Sequence, residues 1–242
     1  MRILPLQLIQ QKYGASNYFN NIKQSDDDTM GDGMKIKITT NGPLMVIGGV
    51  PFKEEVIKGD AMGRSEKWEE VKKFYRDDTY PLCRCGKSTD KPFCTGDHIG
   101  WDGTETAKRN TFMENAKVDP ESDGIVLIQD PSLCDGSGFC HGIRNINQTA
   151  KSKKTLDIAK QQIHDCASGS IVMKIDGQIW EPQLEKSISI TGTPKKKGPI
   201  WVKGGIPIES SDGYTYEVRN RVTLCSCGKS KNKPFCDGAH QR

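Results

Sequence analysis

No stretch of this 242-residue chain approaches the ~20 consecutive apolar residues that a membrane-spanning helix needs. Hydrophobic residues make up only 34% of it and aromatics 7%. That is too little for one large core, and it suits small loop-rich modules that rely on a staple such as a metal or a disulfide. Neither sign of charge dominates: 35 basic residues face 31 acidic ones, for a net charge of +4. Such a mixed surface lacks the basic footprint of a nucleic-acid binder, and Lys195–Lys197, between Pro194 and Gly198, reads as a solvated turn. A signal peptide with a clean apolar stretch is missing. The nine cysteines are an odd number, which argues against a secreted disulfide framework. A reducing, cytoplasmic setting is the expectation, and there clustered cysteines mean metal or redox chemistry. The chain also lacks a P-loop, GxGxxG, GxSxG or HExxH motif, so no enzyme activity is expected of it alone.

What is present is an internal repeat. Gly42-Pro43-Leu44-Met45-Val46-Ile47-Gly48-Gly49-Val50-Pro51 returns as Gly198-Pro199-Ile200-Trp201-Val202-Lys203-Gly204-Gly205-Ile206-Pro207. Each copy reads as a turn, a short apolar strand and a Gly-Gly break, and each is followed by a cysteine cluster. Four segments follow: an extension over 1–33, a first module over 34–117, a different unit over 118–182 and a second module over 183–242. The extension has no acid in residues 1–24 and a single arginine, Arg2. It reads as a disordered tail, with an organelle-targeting segment or translation starting at Met34 as alternatives.

In the first module, Trp68, Val71 and Tyr75 fall at helical spacing between lysines and glutamates, which predicts a short amphipathic helix over 65–75. In the second, residues 211–218 read as a hairpin turn leading into an alternating strand. In the middle unit, Ile125–Ile128 and Ile171–Ile175 read as strands. A helix is expected over 153–165, with Leu156, Ala159 and Ile163 on one face.

The clusters are Cys83, Cys85, Cys94 and His98 in the first copy, and Cys225, Cys227, Cys236 and His240 in the second. Both obey C-x-C-G-x-S-x3-P-F-C-x-G-x-H. Two cysteines one residue apart clasp one metal if the backbone between them is extended. Gly86 and Gly228 let the chain turn after the second thiolate, and Pro92 and Pro234 stiffen its return. Three cysteines and a histidine also suit structural zinc. Zinc modules, however, commonly space their first pair more widely than C-x-C.

These residues resemble the CDGSH iron–sulfur family. The second copy matches closely, with Ala239 in place of the usual serine. In the first, Thr95 replaces the aspartate after the third cysteine, leaving the ligands intact. The stretch 100–107 also resembles a continuation found in tandem members. The resemblance implies a redox-active, acid-labile 2Fe–2S cluster at each site.

Cys134, Cys140 and Cys166 remain. Their C-x5-C spacing and the later C-A-S-G resemble divergent single-cluster ferredoxins, with Ala167 for the expected proline. Three thiolates suit a 3Fe–4S cluster, or a 4Fe–4S cluster with another fourth ligand. Ser137 stands where an ordinary ferredoxin loop has its midway cysteine, and His141, beside Cys140, is a candidate fourth ligand or else an exposed loop histidine; isolated buried thiols are the alternative. The architecture expected is α+β: two small β-rich CDGSH modules flanking a ferredoxin-like unit. The expected function is one-electron transfer. Cluster transfer or redox and pH sensing is the first alternative, and an electron-relay subunit of an oxidoreductase the second. The expected partner is a redox protein or an apo-acceptor of clusters, met by a monomer in which two motifs mimic a dimer.

Overall fold

The computed structural model describes residues 33–241; the expectations for the N-terminal extension lie almost wholly outside them. The first module contributes β1 (Lys35–Ile38), β2 (Leu44–Ile47), β3 (Phe52–Gly59), β4 (Ser65–Phe74) and β5 (Thr79–Leu82). A one-turn helix α1 (Phe112–Asn115) leads into the middle unit, which holds β6 (Lys117–Val118), β7 (Ile125–Gln129), α2 (Ile146–Thr149), α3 (Leu156–His164), β8 (Ile171–Ile175) and β9 (Gln178–Trp180). The second module adds β10 (Ser187–Thr193), β11 (Lys196–Lys203), β12 (Ile208–Glu209) and β13 (Arg221–Leu224).

The repeat shows its purpose in the sheets. One has the order β12-β1-β2-β5 and another β13-β11-β10-β3-β4. Each module therefore lends a strand to the other's sheet: β12 lies parallel to β1 and β3 parallel to β10. The Gly-Gly breaks make the crossing. All four glycines have positive φ, from +65° to +90°, a region costly for residues with a Cβ. The prolines that follow accept matching bonds across the exchange, Ile36 N to Pro207 O and Ile188 N to Pro51 O, both 2.9 Å. One hydrophobic core results, with Ile36, Val46, Phe52 and Leu82 packed among Ile188, Ile200, Ile208 and Leu224. Burying Ile36 and Ile208 contributes on the order of 2 kcal/mol each, so packing holds the exchange more than its few ladder bonds do. The two modules are thus interleaved around a shared core rather than set apart.

A buried polar knot spans the same sheet. Glu55 on β3 accepts hydrogen bonds from Ser189 on β10 and Lys203 on β11, and Lys53 lies 3.1 Å away. Burial alone would raise the Glu55 carboxyl. Lys203, Ser189 and Lys53 outweigh that and hold it below the usual glutamate value.

The helix expected over 65–75 is a strand instead. β4 pairs with β3 along its length, from Phe52↔Phe74 to Gly59↔Ser65. The turn is closed by Asp60 Oδ1, which accepts from Met62 N and Arg64 N. The apparent helical face does not exist: Val71 is 52% and Tyr75 90% exposed. Only Trp68 turns inward, between Phe139 and Trp201. Ladder bonds to a partner strand override the helix preference of an edge rich in Lys and Glu. The alternating strand expected within 211–218, after its turn, is also largely absent. Gly213 N closes the turn on Ser210 O, but only a Glu209↔Thr215 bridge follows. Its polar groups go to the inter-module linker, Tyr216 Oη donating to Glu105 and Glu217 accepting from Phe112 N.

The middle unit follows its sequence pattern more closely. β6-β7-β8-β9 form an antiparallel sheet, with Ile125 opposite Ile175. Ile163 and Ala159 of α3 pack on Leu127 and Met173. A tighter turn over Lys153–Thr155, entered through Ser152 Oγ accepting from Lys154 N, precedes α3. No helix among the described residues is long and apolar enough to cross a membrane.

Candidate metal centres

Both C-x-C pairs are delivered by strand ends, Cys83 and Cys85 after β5 and Cys225 and Cys227 after β13. The loops then close in the same way. Cys83 N and Cys225 N each donate to the carbonyl of the motif proline, at 2.8 Å. Ser88 Oγ and Ser230 Oγ donate to Phe93 O and Phe235 O. The Lys91–Pro92 and Lys233–Pro234 peptide bonds are cis in both copies. Gly96 N and Gly238 N point at the sulfurs of Cys94 and Cys236. His240 sits in a single helical turn, Ala239–Gln241.

The candidate donors come in pairs. Cys83 Sγ and Cys85 Sγ are 3.7 Å apart, as are Cys225 Sγ and Cys227 Sγ. Cys94 Sγ lies 3.4 Å from His98 Nδ1, and Cys236 Sγ 3.5 Å from His240 Nδ1. Metal–sulfur bonds of ~2.3 Å and metal–nitrogen bonds of ~2.0–2.1 Å give tetrahedral edges of about 3.8 Å and 3.5 Å. Each pair therefore fits one tetrahedral metal. Among the described residues, no three His, Cys, Asp or Glu side chains are grouped to hold a single ion. Two metals per motif, one on each pair, fit this donor set better than one zinc.

The two motifs stand back to back. Cys85 and Cys227 form an antiparallel bridge, and each motif's glycine lies against the other's cysteine. A Cβ on Gly86 would fall 2.4 Å from Cys227 O, and one on Gly228 2.4 Å from Cys85 O. With φ of +79° and +77°, these glycines both turn the chain and permit the contact. Arg84, inside the first C-x-C, is a feature that pattern reading passed over. It is buried and donates to Gly42 O, Gly103 O and Thr39 O. Ser226, at the same place in the second copy, donates to Gly198 O, the counterpart of Gly42 O. Both x-residues tie the cluster loop to the start of the repeat. Their shared position within C-x-C was the available signal.

Burial and neighbouring groups set the ionisation of these cysteines and histidines. It pushes the Cys236 and Cys85 thiols up, since a thiolate out of water is penalised. Cys227 goes the other way because the Cys225 thiol donates to its sulfur. Burial, then nearby Lys196, holds the His240 imidazole below its ordinary value. That favours the neutral ring, the form that binds metal.

The copies differ beside the third cysteine. Asp237 accepts from Lys231 N and Ala239 N, both at 3.0 Å. Thr95 Oγ1 instead donates to the Asp97 carboxylate and lies 3.1 Å from Ser88 Oγ.

Cys134, Cys140 and Cys166 are brought together. All three line one cavity of about 170 Å³, with Ser137 and His141 also on its wall. Cys140 is pushed up to about 12 by burial and then by the neighbouring Cys166 and Cys134, so a cationic centre there would relieve mutual repulsion. Sequence reading missed Asp135 on the same wall, a buried carboxylate that accepts from Ser137 N. It also missed Arg221. This fully buried guanidinium on β13 donates to Ile163 O, Cys166 O and Ile171 O and pairs with Glu181. Through it the second module grips the turn that carries Cys166. His164, which took no part in the sequence argument, bonds Asp165.

No curated protein and no solved structure matches this chain. Two of its segments, residues 41–99 and 197–241, match the family model described as iron-binding zinc finger, CDGSH type, so the similarity to that model occurs twice in the chain.

Proposed function

We propose that the chain is a non-enzymatic electron carrier holding two 2Fe–2S clusters. Cys83, Cys85, Cys94 and His98 would hold one, and Cys225, Cys227, Cys236 and His240 the other. The observation that carries this reading is the pairing of ligands at one-metal spacing, twice in each motif. When bound, such clusters supply one-electron couples, and a histidine in place of a thiolate raises the potential. A third cluster, 3Fe–4S or 4Fe–4S, would occupy the three-cysteine cavity, with Ser137 or His141 within reach as a further ligand. Because the two motifs already interleave in one chain, a monomer is the working form. Nine unpaired cysteines suit a reducing compartment such as the cytoplasm. The partner would be a redox protein.

The test is iron and acid-labile sulfide per chain, with electron paramagnetic resonance of the reduced protein. Two clusters give about four irons and a third raises this to about seven or eight. Zinc without sulfide would refute the proposal.

A second reading, cluster delivery to an apo-acceptor, is favoured by the histidine in each site, because protonation competes with metal for the same nitrogen. His98→Cys and His240→Cys are each expected to move their share of the acid-induced loss of visible absorption to lower pH. Each should also lower its site's potential. The sign follows from the neutral imidazole being the proposed ligand: acid protonates the ring and takes it from the metal. Unchanged pH midpoints in both variants would rule out histidine ligation.

A further inference from the structure

The two motifs are near-copies in sequence but face different surroundings. Position by position, Gly96, Asp97, His98 and Ile99 correspond to Gly238, Ala239, His240 and Gln241. Around the first set there is open space. A Cβ on Gly96 would meet nothing within 4 Å, and Ile99 is 86% exposed. His98 and Ile99 line a wide, open cavity of about 580 Å³ with Trp101 and Asp102.

Around the second set sits the Pro131–Gly138 stretch of the middle unit. A Cβ on Gly238 would stand 3.3 Å from Cys134 O. Gln241 Nε2 donates to Gly136 O at 2.7 Å and Asp135 O at 3.3 Å. Asn232 Nδ2 reaches Ser132 O. Cys236 is 3% and Ala239 7% exposed. The loop that carries Cys134 therefore lies against the Cys236–Gln241 end of the second motif, where the matching Cys94–Ile99 end of the first has no such cover, although both histidines are half-buried and Cys83 and Cys85 are buried.

We infer that the middle unit is a cap that seals the second metal site, leaving the first as the exchangeable site, at which metal is lost to, or accepted from, outside molecules. This rests on both motifs holding clusters, as proposed above, and adds which of the two is open. It needs no contribution from the residues flanking the third cysteines, although Thr95 and Asp237 also differ. Ligand loss from a buried site requires local opening, whose cost grows with the contacts that must be broken.

The experiment uses the full chain as purified, with iron and sulfide counted first, so that absence of clusters is recognised separately. An iron chelator, bathophenanthroline disulfonate, is added in excess and the visible absorption followed. Two phases are expected from the paired motifs, counted apart from any phase that Cys140→Ser removes and that belongs to the middle site, and His98→Cys should alter only the fast one. Gln241→Ala removes the amide bonds of the cap and should quicken the slow phase about three- to tenfold, the effect of one or two hydrogen bonds, without moving the fast one. Gly136→Ala attacks the same contact from the other side, because its Cβ would fall 2.7 Å from the Gln241 amide. It should quicken the slow phase too, which excludes a mere disturbance of neighbouring His240. A readout independent of metal is iodoacetamide labelling of the metal-free chain by mass spectrometry, where Cys94 should react before Cys236. A single phase, a slow phase that belongs to His98, or cap variants that leave the slow phase unchanged would each overturn the inference.

Discussion

Gly86→Ala is expected to cost the protein both paired metal sites, not only the one whose motif contains the substitution. The added methyl would meet Cys227 O at 2.4 Å, so the ligand loop of the opposite motif must move. The left-handed backbone adds ~1–2 kcal/mol for a residue with a Cβ, and the overlap adds about 1–3 kcal/mol. Together these are a large share of the ~5–15 kcal/mol by which domains are stable. Iron and sulfide analysis should show a loss larger than one cluster, and Gly228→Ala should mirror it. Gly213→Ala separates the two causes, for Gly213 has φ +89° with nothing within 4 Å of its would-be Cβ. That variant should keep its clusters and lose only the backbone share of stability. Should Gly86→Ala release a single cluster, the back-to-back arrangement of the motifs would be refuted.

Glu55→Ala should lower the melting temperature by about 10 °C. Removing one partner of a buried ion pair costs ~3–5 kcal/mol, since the other charge is stranded, and each kcal/mol is worth ~2–4 °C for a chain of this size. Lys203, 6% exposed, would be the stranded charge, left with Trp201 beneath it as a cation–π partner at 3.7 Å and the more distant Glu70. The double change Glu55→Leu with Lys203→Met should recover much of the loss, because an apolar pair leaves no charge behind. Acid should also narrow the gap between the parent and Glu55→Gln. The folded carboxyl lies below its ordinary value, so its contribution is complete above the unfolded value and disappears as pH falls through the folded one. Calorimetric scans across that range would test this. If Glu55→Ala melts within a degree or two of the parent, the knot across β3, β10 and β11 contributes little to holding the exchanged strands.

The cysteine–histidine motifs, the turning glycines and the strands of the middle unit were legible in sequence because each depends on neighbours within a few residues. A C-x-C spacing, a glycine where φ must be positive and a run such as Ile171–Ile175 are local statements. The stretch 65–75 was misread for the same reason. Its helical spacing of Trp68 and Val71 is a local pattern, whereas the strand it forms is dictated by β3, which lies outside the window.

Sequence alone determined that the chain holds two matched Cys3His motifs and a third group of three cysteines. Tertiary structure alone decided how these stand to one another. The Gly-Gly breaks send each module's strand into the other's sheet, which sets Gly86 against Cys227 and Gly228 against Cys85. The middle unit then lies against the Cys236–Gln241 end of the second motif, and a Cβ on Gly96, at the matching end of the first, would meet nothing within 4 Å. Nothing near Gln241 or Ile99 in the sequence states which of them meets Gly136. That outcome depends on contacts more than 100 positions apart, which only the packing of the whole chain brings together.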